Sequence, residues 1–238
     1  MRSRGSAGVA LAIATCVAIG PAARADSAHR DEPPATRISA ALSGGRAFGF
    51  DASADGRPLA ERDDDVGNGL LSLGVDHSVV RWLALGVEAR VGSWDSNWST
   101  VAGYDQPHMR ILFDVDAVLR IRSPTLGPFR WPVVLSVSPS GGFTAPAAPA
   151  RDTRAVRETW HPRGGGGNFG IDVTAETWYK LRRSRWQLGG VVGVGYSRHW
   201  FSLDGTFTPV SDPGAAVSAR YDYVTDMVLF KLGILAGF

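Results

Sequence analysis

Strict alternation of apolar and polar residues constrains the fold of this chain more than any other feature of its sequence. Between Met109 and Ile121 the odd-numbered residues are all apolar, and most of the even-numbered residues are charged. Successive side chains of a β-strand point to opposite faces, so a period of two residues is typical of strands that are apolar on one face. This period recurs in the segments 38–49, 69–77, 83–92, 109–122, 132–142, 169–179, 186–198 and 228–238. The sequence therefore predicts an all-β fold of eight strands.

The connections between these segments alternate in length. Short connections lie near 78–81, 123–130 and 181–185, and long polar connections lie near 51–67, 94–107, 143–167 and 199–223. Short turns at one end and long loops at the other, on an even number of strands, are typical of a transmembrane barrel. We therefore predict an eight-stranded antiparallel up-and-down transmembrane β-barrel. A secreted β-sandwich is the alternative, but it does not account for the difference between the two ends.

The first 25 residues have the features of a secretory signal peptide. Two arginines precede an apolar stretch, and the sequence Ala23-Arg24-Ala25 fits a cleavage site. A lipoprotein signal using Cys16 is disfavoured, because Thr15 stands where a small residue is usual. We expect a signal peptide at 1–25, a disordered lead-in at 26–35 and the barrel at 36–238.

Cleavage at this site changes the composition of the protein. It removes three of the 25 basic residues and no acidic ones, so the net charge moves from +2 to −1. A nucleic-acid-binding protein would need a basic face, so no nucleic-acid partner is expected. The single cysteine is lost as well. We therefore expect no disulfide, no thiolate metal site and no cysteine nucleophile. No cofactor is expected either.

Aromatic residues are placed near both ends of the predicted strands. Each short connection is followed by an Arg-Trp pair, and a second aromatic set lies near the opposite strand ends. Indole and phenol rings favour the boundary between lipid and water, where the ring is buried and its polar atom stays hydrated. The predicted membrane-interface anchors are Trp82, Trp131, Trp186, Trp94, Tyr196 and Trp200.

If the apolar faces contact lipid, the polar positions point into the lumen. An eight-stranded barrel is just wide enough for side chains to fill it. The predicted lumen charges are Asp76, Glu88, Arg90, Arg110, Asp114, Asp116, Arg120, Asp172, Glu176 and Lys231, with Arg122 and Lys180 near the rim. A pore that selects one ion sign would show a ring of like charge, whereas this set is mixed. Because buried charges need partners, we expect salt bridges that largely close the lumen.

The end of the chain carries a family resemblance. Apolar residues occupy every second position before a terminal aromatic residue: Phe230, Leu232, Ile234, Ala236 and Phe238. Together with the signal peptide and the alternation, this end resembles the small outer-membrane β-barrel family of Gram-negative bacteria, the eight-stranded OmpA-transmembrane-domain and OmpX-like group. The resemblance implies that barrel-assembly machinery recognises the chain end. It also implies a location in the outer membrane among its lipids.

The function expected from the sequence is non-enzymatic. We expect a surface-exposed structural or interaction protein that meets an unknown extracellular ligand or partner through the loops at 143–167 and 199–223. One alternative is a narrow pore for small solutes. Another is a lipid-modifying hydrolase using Ser197 and His199, with Asp172 or Glu176 orienting the imidazole.

Overall fold

Eight long β-strands form most of the part of the chain that the structure describes. The computed structural model describes residues 33–54, 57–58, 67–99, 105–126, 133–147, 151–152, 156–162, 166–181 and 184–238. The strands are β1 Thr36–Ala54, β2 Gly67–Val80, β3 Leu83–Ser99, β4 Asp105–Arg122, β5 Val133–Ala147, β6 Gly166–Lys180, β7 Gln187–Pro209 and β8 Val217–Gly237. The predicted signal peptide and most of the lead-in lie outside the described residues.

The eight strands close into a ring. Each strand pairs antiparallel with the next strand in sequence, and β8 pairs with β1. The closing seam runs from Arg37 opposite Gly237 to Ala54 opposite Tyr221, with one irregularity. At its end, the amides and carbonyls of Thr36 and Phe238 bond to each other at 3.0 and 3.1 Å. The predicted eight-stranded up-and-down barrel is confirmed.

Several strands continue well beyond their predicted ends. β7 and β8 reach Pro209 and Val217, so the connection predicted at 199–223 shortens to a tight hairpin containing the 3-10 turn Pro213–Ala215. The short strand Val156–Pro162 pairs with the distal half of β7. Two further short strands are Arg57–Pro58 and Arg151–Asp152. Much of what the sequence predicted as external loop is therefore an extension of the barrel sheet.

In this extension the outer face is polar and the inner face is apolar, the reverse of the barrel wall. This reversal explains why the predicted strands were too short. Within the barrel wall the outward residues are apolar, but on distal β7 and β8 the apolar residues Phe201, Leu203 and Tyr223 are buried inside. Their outward neighbours include Ser202 and Asp222, which hydrogen-bond to each other. Above the lipid, water contacts the outer face, so the apolar side chains turn to the interior. A sequence pattern that requires an apolar outer face therefore identifies only the part of each strand that lies in lipid.

An apolar belt surrounds the barrel on its outer face. On β8 the belt runs from Val228 to Phe238, and Ile234 within it is 71% exposed. Ten residue steps of ~3.3 Å give ~33 Å along the strand, or ~25 Å along the membrane normal at the usual tilt. That height matches the apolar band of outer-membrane barrels. Among the described residues, no helix is long and apolar enough to span a membrane.

The assignment of alternate β4 residues to the lipid-facing side of the barrel can be tested directly. Val115 is 54% exposed on the outer face, so Val115→Arg should destabilise the barrel by about 2–4 kcal/mol. Ile121→Arg, also outward on β4 but beside the turn end, should cost no more than about 1 kcal/mol, because an arginine there reaches water. Urea titrations of the protein folded in lipid vesicles measure both. Equal costs at the two positions would contradict this placement of the belt.

Candidate functional site

A first cluster of buried charges crosses the lumen near the end with the short turns. Arg37 on β1 donates to Asp76 on β2 and to Glu176 on β6, each at 2.6 Å. Arg120 on β4 lies 3.3 and 3.4 Å from the same two carboxylates, and Arg122 binds Asp76 at 2.7 Å. All five residues are buried. Three guanidinium groups and two carboxylates thus connect four strands across the barrel interior.

A second cluster lies at the middle of the barrel. Lys231 on β8 bridges Glu88 on β3 at 3.0 Å and Asp172 on β6 at 2.9 Å. Arg90 on β3 binds Asp116 on β4 and lies 3.9 Å from Glu88. The lysine therefore joins strands on opposite sides of the lumen, because β3 and β6 do not pair with each other or with β8.

A third cluster lies toward the end with the long connections. His199 on β7 places Nε2 3.0 Å from Asp114 Oδ2 on β4. Thr144 on β5 donates to the other oxygen of Asp114 at 2.8 Å, and Asn168 on β6 donates to Thr144 at 3.1 Å. Arg90 lies 4.0 Å from Asp114 and so joins this cluster to the central one. All eight strands contribute at least one polar side chain to the three clusters.

Apolar side chains also pack inside the barrel, beside the first cluster and beyond the third. At the turn end, Trp178, Val191 and Leu235 form a buried contact cluster at the level of the first charge cluster, with Val191 opposite Glu176. At the loop end, Phe201 and Tyr223 stack with ring centroids 5.2 Å apart. The lumen of the described part of the barrel therefore contains both paired charges and apolar side chains.

The structure brings most of the predicted lumen charges into these clusters. The exceptions are Lys180, which is exposed at the rim, and Arg110, whose side chain lies outside the described residues. The sequence analysis missed Arg37, because the strand was predicted to begin at residue 38 and it begins at Thr36. The signal was present, since Arg37, Ser39 and Ala41 share one parity and alternate with the apolar Ile38 and Ala40. Within the described ranges, no group of three or more potential metal ligands is assembled.

Ser197 and His199 share the inward face of β7, but they do not form the predicted catalytic arrangement. Neither Asp172 nor Glu176 contacts the imidazole, because those carboxylates bind Lys231, Arg37 and Arg120. Asp114 contacts His199 instead. Ser197 is 1% exposed and His199 is not exposed at all. In this position the pair belongs to the packed interior of the barrel.

The predicted anchors that the structure describes lie on the outer surface. Trp82 and Trp186 are exposed at the turn end, Trp200 is exposed toward the loop end, and the hydroxyl of Tyr196 donates to Asp226 at 2.7 Å. Trp131 and the side chain of Trp94 lie outside the described residues. Of the proposed assembly signal, four side chains are exposed and Ala236 is half-buried: Phe230, Leu232, Ile234, Ala236 and Phe238. The ring of Phe238 lies 5.0 Å from that of Trp186.

Comparison with known proteins gives matches among solved structures alone, since no family model and no curated protein sequence matches. The chain is similar to outer membrane protein AlkL, with 12% identity, a TM-score of 0.40, and coverage of 92% of this chain and 96% of AlkL. The outer membrane protease OmpT from Escherichia coli shares 9% identity, a TM-score of 0.28 and coverage of 85% and 97%. An outer membrane channel from Pseudomonas putida F1 shares 9% identity, a TM-score of 0.23 and coverage of 88% and 100%.

The closed ring of strands, the apolar belt and the charged interior together decide the class of protein. This chain is an outer-membrane β-barrel protein. The belt faces lipid, the short turns lie on the periplasmic side, and the extended hairpins lie outside the cell. In this outer-membrane barrel the charge clusters lie in the lumen.

The two lysines of the chain offer a matched test of the central cluster. Lys231→Met leaves Asp172 and Glu88 without their shared cation, so the barrel should lose about 3–5 kcal/mol of stability. Lys180→Met at the exposed rim should cost less than about 1 kcal/mol. Equilibrium unfolding in urea, followed by tryptophan fluorescence in vesicles, compares the two variants. Similar stabilities for both would show that the central cluster carries no net stabilisation.

Proposed function

We propose that this protein is a closed, non-enzymatic outer-membrane barrel that acts as a structural or interaction protein at the cell surface. The observation that carries the proposal is the presence of three clusters of paired charges inside the barrel, from Arg37 at the turn end to His199 at the loop end, with the stacked rings of Phe201 and Tyr223 beyond them. A solute crossing this lumen would have to separate several buried ion pairs at once. Separating a buried charge from its partner is strongly unfavourable, so the lumen is a poor diffusion path.

The surface role is supported by the shape of the loop end. β7 and β8 extend past the apolar belt as a paired hairpin, and the strand Val156–Pro162 widens that sheet. Near the hairpin tip, Val210 and Val217 are exposed to water. An ordered platform that presents apolar side chains suits contact with a partner, because little conformational entropy is lost on binding. The partner is an extracellular molecule whose identity the sequence leaves open.

Planar-bilayer recording tests the closed lumen. Wild-type protein inserted into a bilayer should give no single-channel steps above those of the protein-free membrane, because the ion pairs block the path. A boiled and an unboiled sample on a detergent gel verify that the inserted protein is folded, since a folded barrel migrates differently. Regular conductance steps from folded wild-type protein would contradict the closed barrel and favour the pore for small solutes.

The absence of lipid hydrolysis is tested separately. Cells expressing wild-type protein should have the same lipid A and phospholipid masses as cells with an empty vector, because Ser197 and His199 are enclosed in the lumen. Ser197→Ala should change nothing in these masses. A deacylated lipid that appears with the wild type and disappears with Ser197→Ala would establish the hydrolase instead. Mass spectrometry of extracted outer membranes gives the readout.

A further inference from the structure

An apolar groove opens between β6 and β7 near the turn end, on the outer surface of the barrel. It has a volume of about 310 Å³ and is lined by Thr177, Trp178, Tyr179, Leu188, Gly189 and Gly190. By strand parity, Thr177, Tyr179, Leu188 and Gly190 lie on the lipid-facing side. Gly190 is directly opposite Thr177, so its missing side chain leaves a notch in the apolar belt. A groove at this depth lies within reach of acyl chains.

Cations border the groove at its periplasmic end. Lys180 shares the inward parity of Glu176 and Trp178, but it is the last residue of β6, and its side chain is exposed at the rim, one row below the groove. Arg185, in the turn that follows, is exposed as well. The three turn-end segments, 78–82, 123–132 and 180–186, contain six basic residues and no acidic residue. Four of the six lie in the sequence segment 180–186, and of these Lys180 and Arg185 are among the described residues. This concentration of positive charge distinguishes the β6–β7 turn from the other two turns.

We propose that this groove and its basic border form a specific binding site for an anionic glycerophospholipid of the inner leaflet. One acyl chain lies in the notch at Gly190, against Tyr179 and Leu188. Lys180 and Arg185 bind the phosphodiester through charge-assisted hydrogen bonds.

The distances along the strands agree with such a molecule. The groove spans the rows of Thr177 and Tyr179, which lie one to three residues from Lys180, or ~3–10 Å along the strand. From the end of the strand, the long aliphatic stem of Lys180 allows its ammonium group to reach the headgroup level beside the groove. A zwitterionic headgroup presents its own cation to these side chains, so it binds less favourably than a headgroup of net negative charge.

The chain offers a matched pair of glycine variants for a test. A Cβ on Gly190 meets just one atom within 4 Å, the carbonyl oxygen of Gly233 at 3.9 Å, so Gly190→Leu fills the notch without disturbing the backbone. Gly44, on the outer face of β1, has the same freedom, with Asn68 O at 3.7 Å. Gly44→Leu adds the same side chain to the lipid-facing surface away from the groove and serves as its control.

The charge variants are matched in the same way. Lys180→Gln/Arg185→Gln removes the cations beside the groove. Arg81→Gln removes a cation from the β2–β3 turn, which lies four strands away on the opposite side of the ring. All four variants change surface positions, and a heat-modifiability gel verifies that each barrel is folded.

Native mass spectrometry of the full-length protein released from detergent counts bound lipids. The probes are phosphatidylglycerol and phosphatidylcholine with identical acyl chains. Wild-type protein should retain phosphatidylglycerol with about tenfold preference. Lys180→Gln/Arg185→Gln should abolish the preference, and Gly190→Leu should reduce retention of both lipids, while Gly44→Leu and Arg81→Gln behave as the wild type.

Two results would overturn the proposal. Equal retention of the two lipids by the wild type would mean that the groove holds ordinary annular lipid without selection. Loss of the preference in Arg81→Gln to the same extent as in the double variant would mean that the whole rim attracts anionic lipid diffusely. Both results are independent of the closed lumen and of the surface role, which this experiment does not measure.

Discussion

The backbone pairing of β1 with β8 is the constraint on which the rest of this structure depends. A strand in lipid has no water to satisfy its amides and carbonyls, so a sheet that crosses a membrane has to close on itself. Here the closure extends to the last residue, where Thr36 and Phe238 exchange two backbone hydrogen bonds. Closing a ring of eight strands also fixes its width at about that of the side chains inside it. The narrow lumen is therefore a consequence of closure, and it decides what the inward residues have to do.

Inward residues in so narrow a space lie close to residues on the opposite wall. Lys231 shows how narrow the lumen is, because its Nζ lies 3.0 and 2.9 Å from carboxylates on two strands that do not pair with β8. Within this space the described lumen holds six carboxylates and five lysine or arginine cations, with His199 against Asp114. Such charges are stable when they pair, and pairs such as Lys231 with Glu88 tie strands that share no backbone hydrogen bonds. The same contacts that stabilise the wall therefore occupy the lumen.

The parts of the fold and of the charge clusters that could be predicted are those in which contact with lipid determines the polarity of the residues. Along β4, lipid requires apolar residues outside, so parity alone separates Val115 from the buried Asp116. Arg37 was not predicted as a lumen residue because it precedes the first apolar residue of its strand. Its partner Glu176 is 139 positions away in the sequence, and the two residues meet only when the barrel closes. Asp114 was assigned to the lumen, but its contact with His199 depends on the stagger between strands, which alternation does not encode. The distal half of β7 was missed because its polarity reverses above the lipid.

That reversal also locates the outer boundary of the membrane on the barrel. On the outer face of β7 and β8 the apolar wall ends at the row in which Tyr196 is opposite Val228, and the next row places Arg198 opposite Asp226. The tyrosine hydroxyl bonds to Asp226, and Arg198 lies 3.8 Å from it, so this row carries polar contacts that lipid chains would not satisfy. Above this row Trp200 is opposite Val224 on the outer face, and the next outward pair, Ser202 and Asp222, is polar, whereas inside the barrel Phe201 stacks on Tyr223. Alternate residues thus keep facing outward along the whole sheet, toward lipid in the barrel wall and toward water above it. The part in water is a rigid surface because the register of β7 and β8 continues without interruption from Gln187 to Phe207.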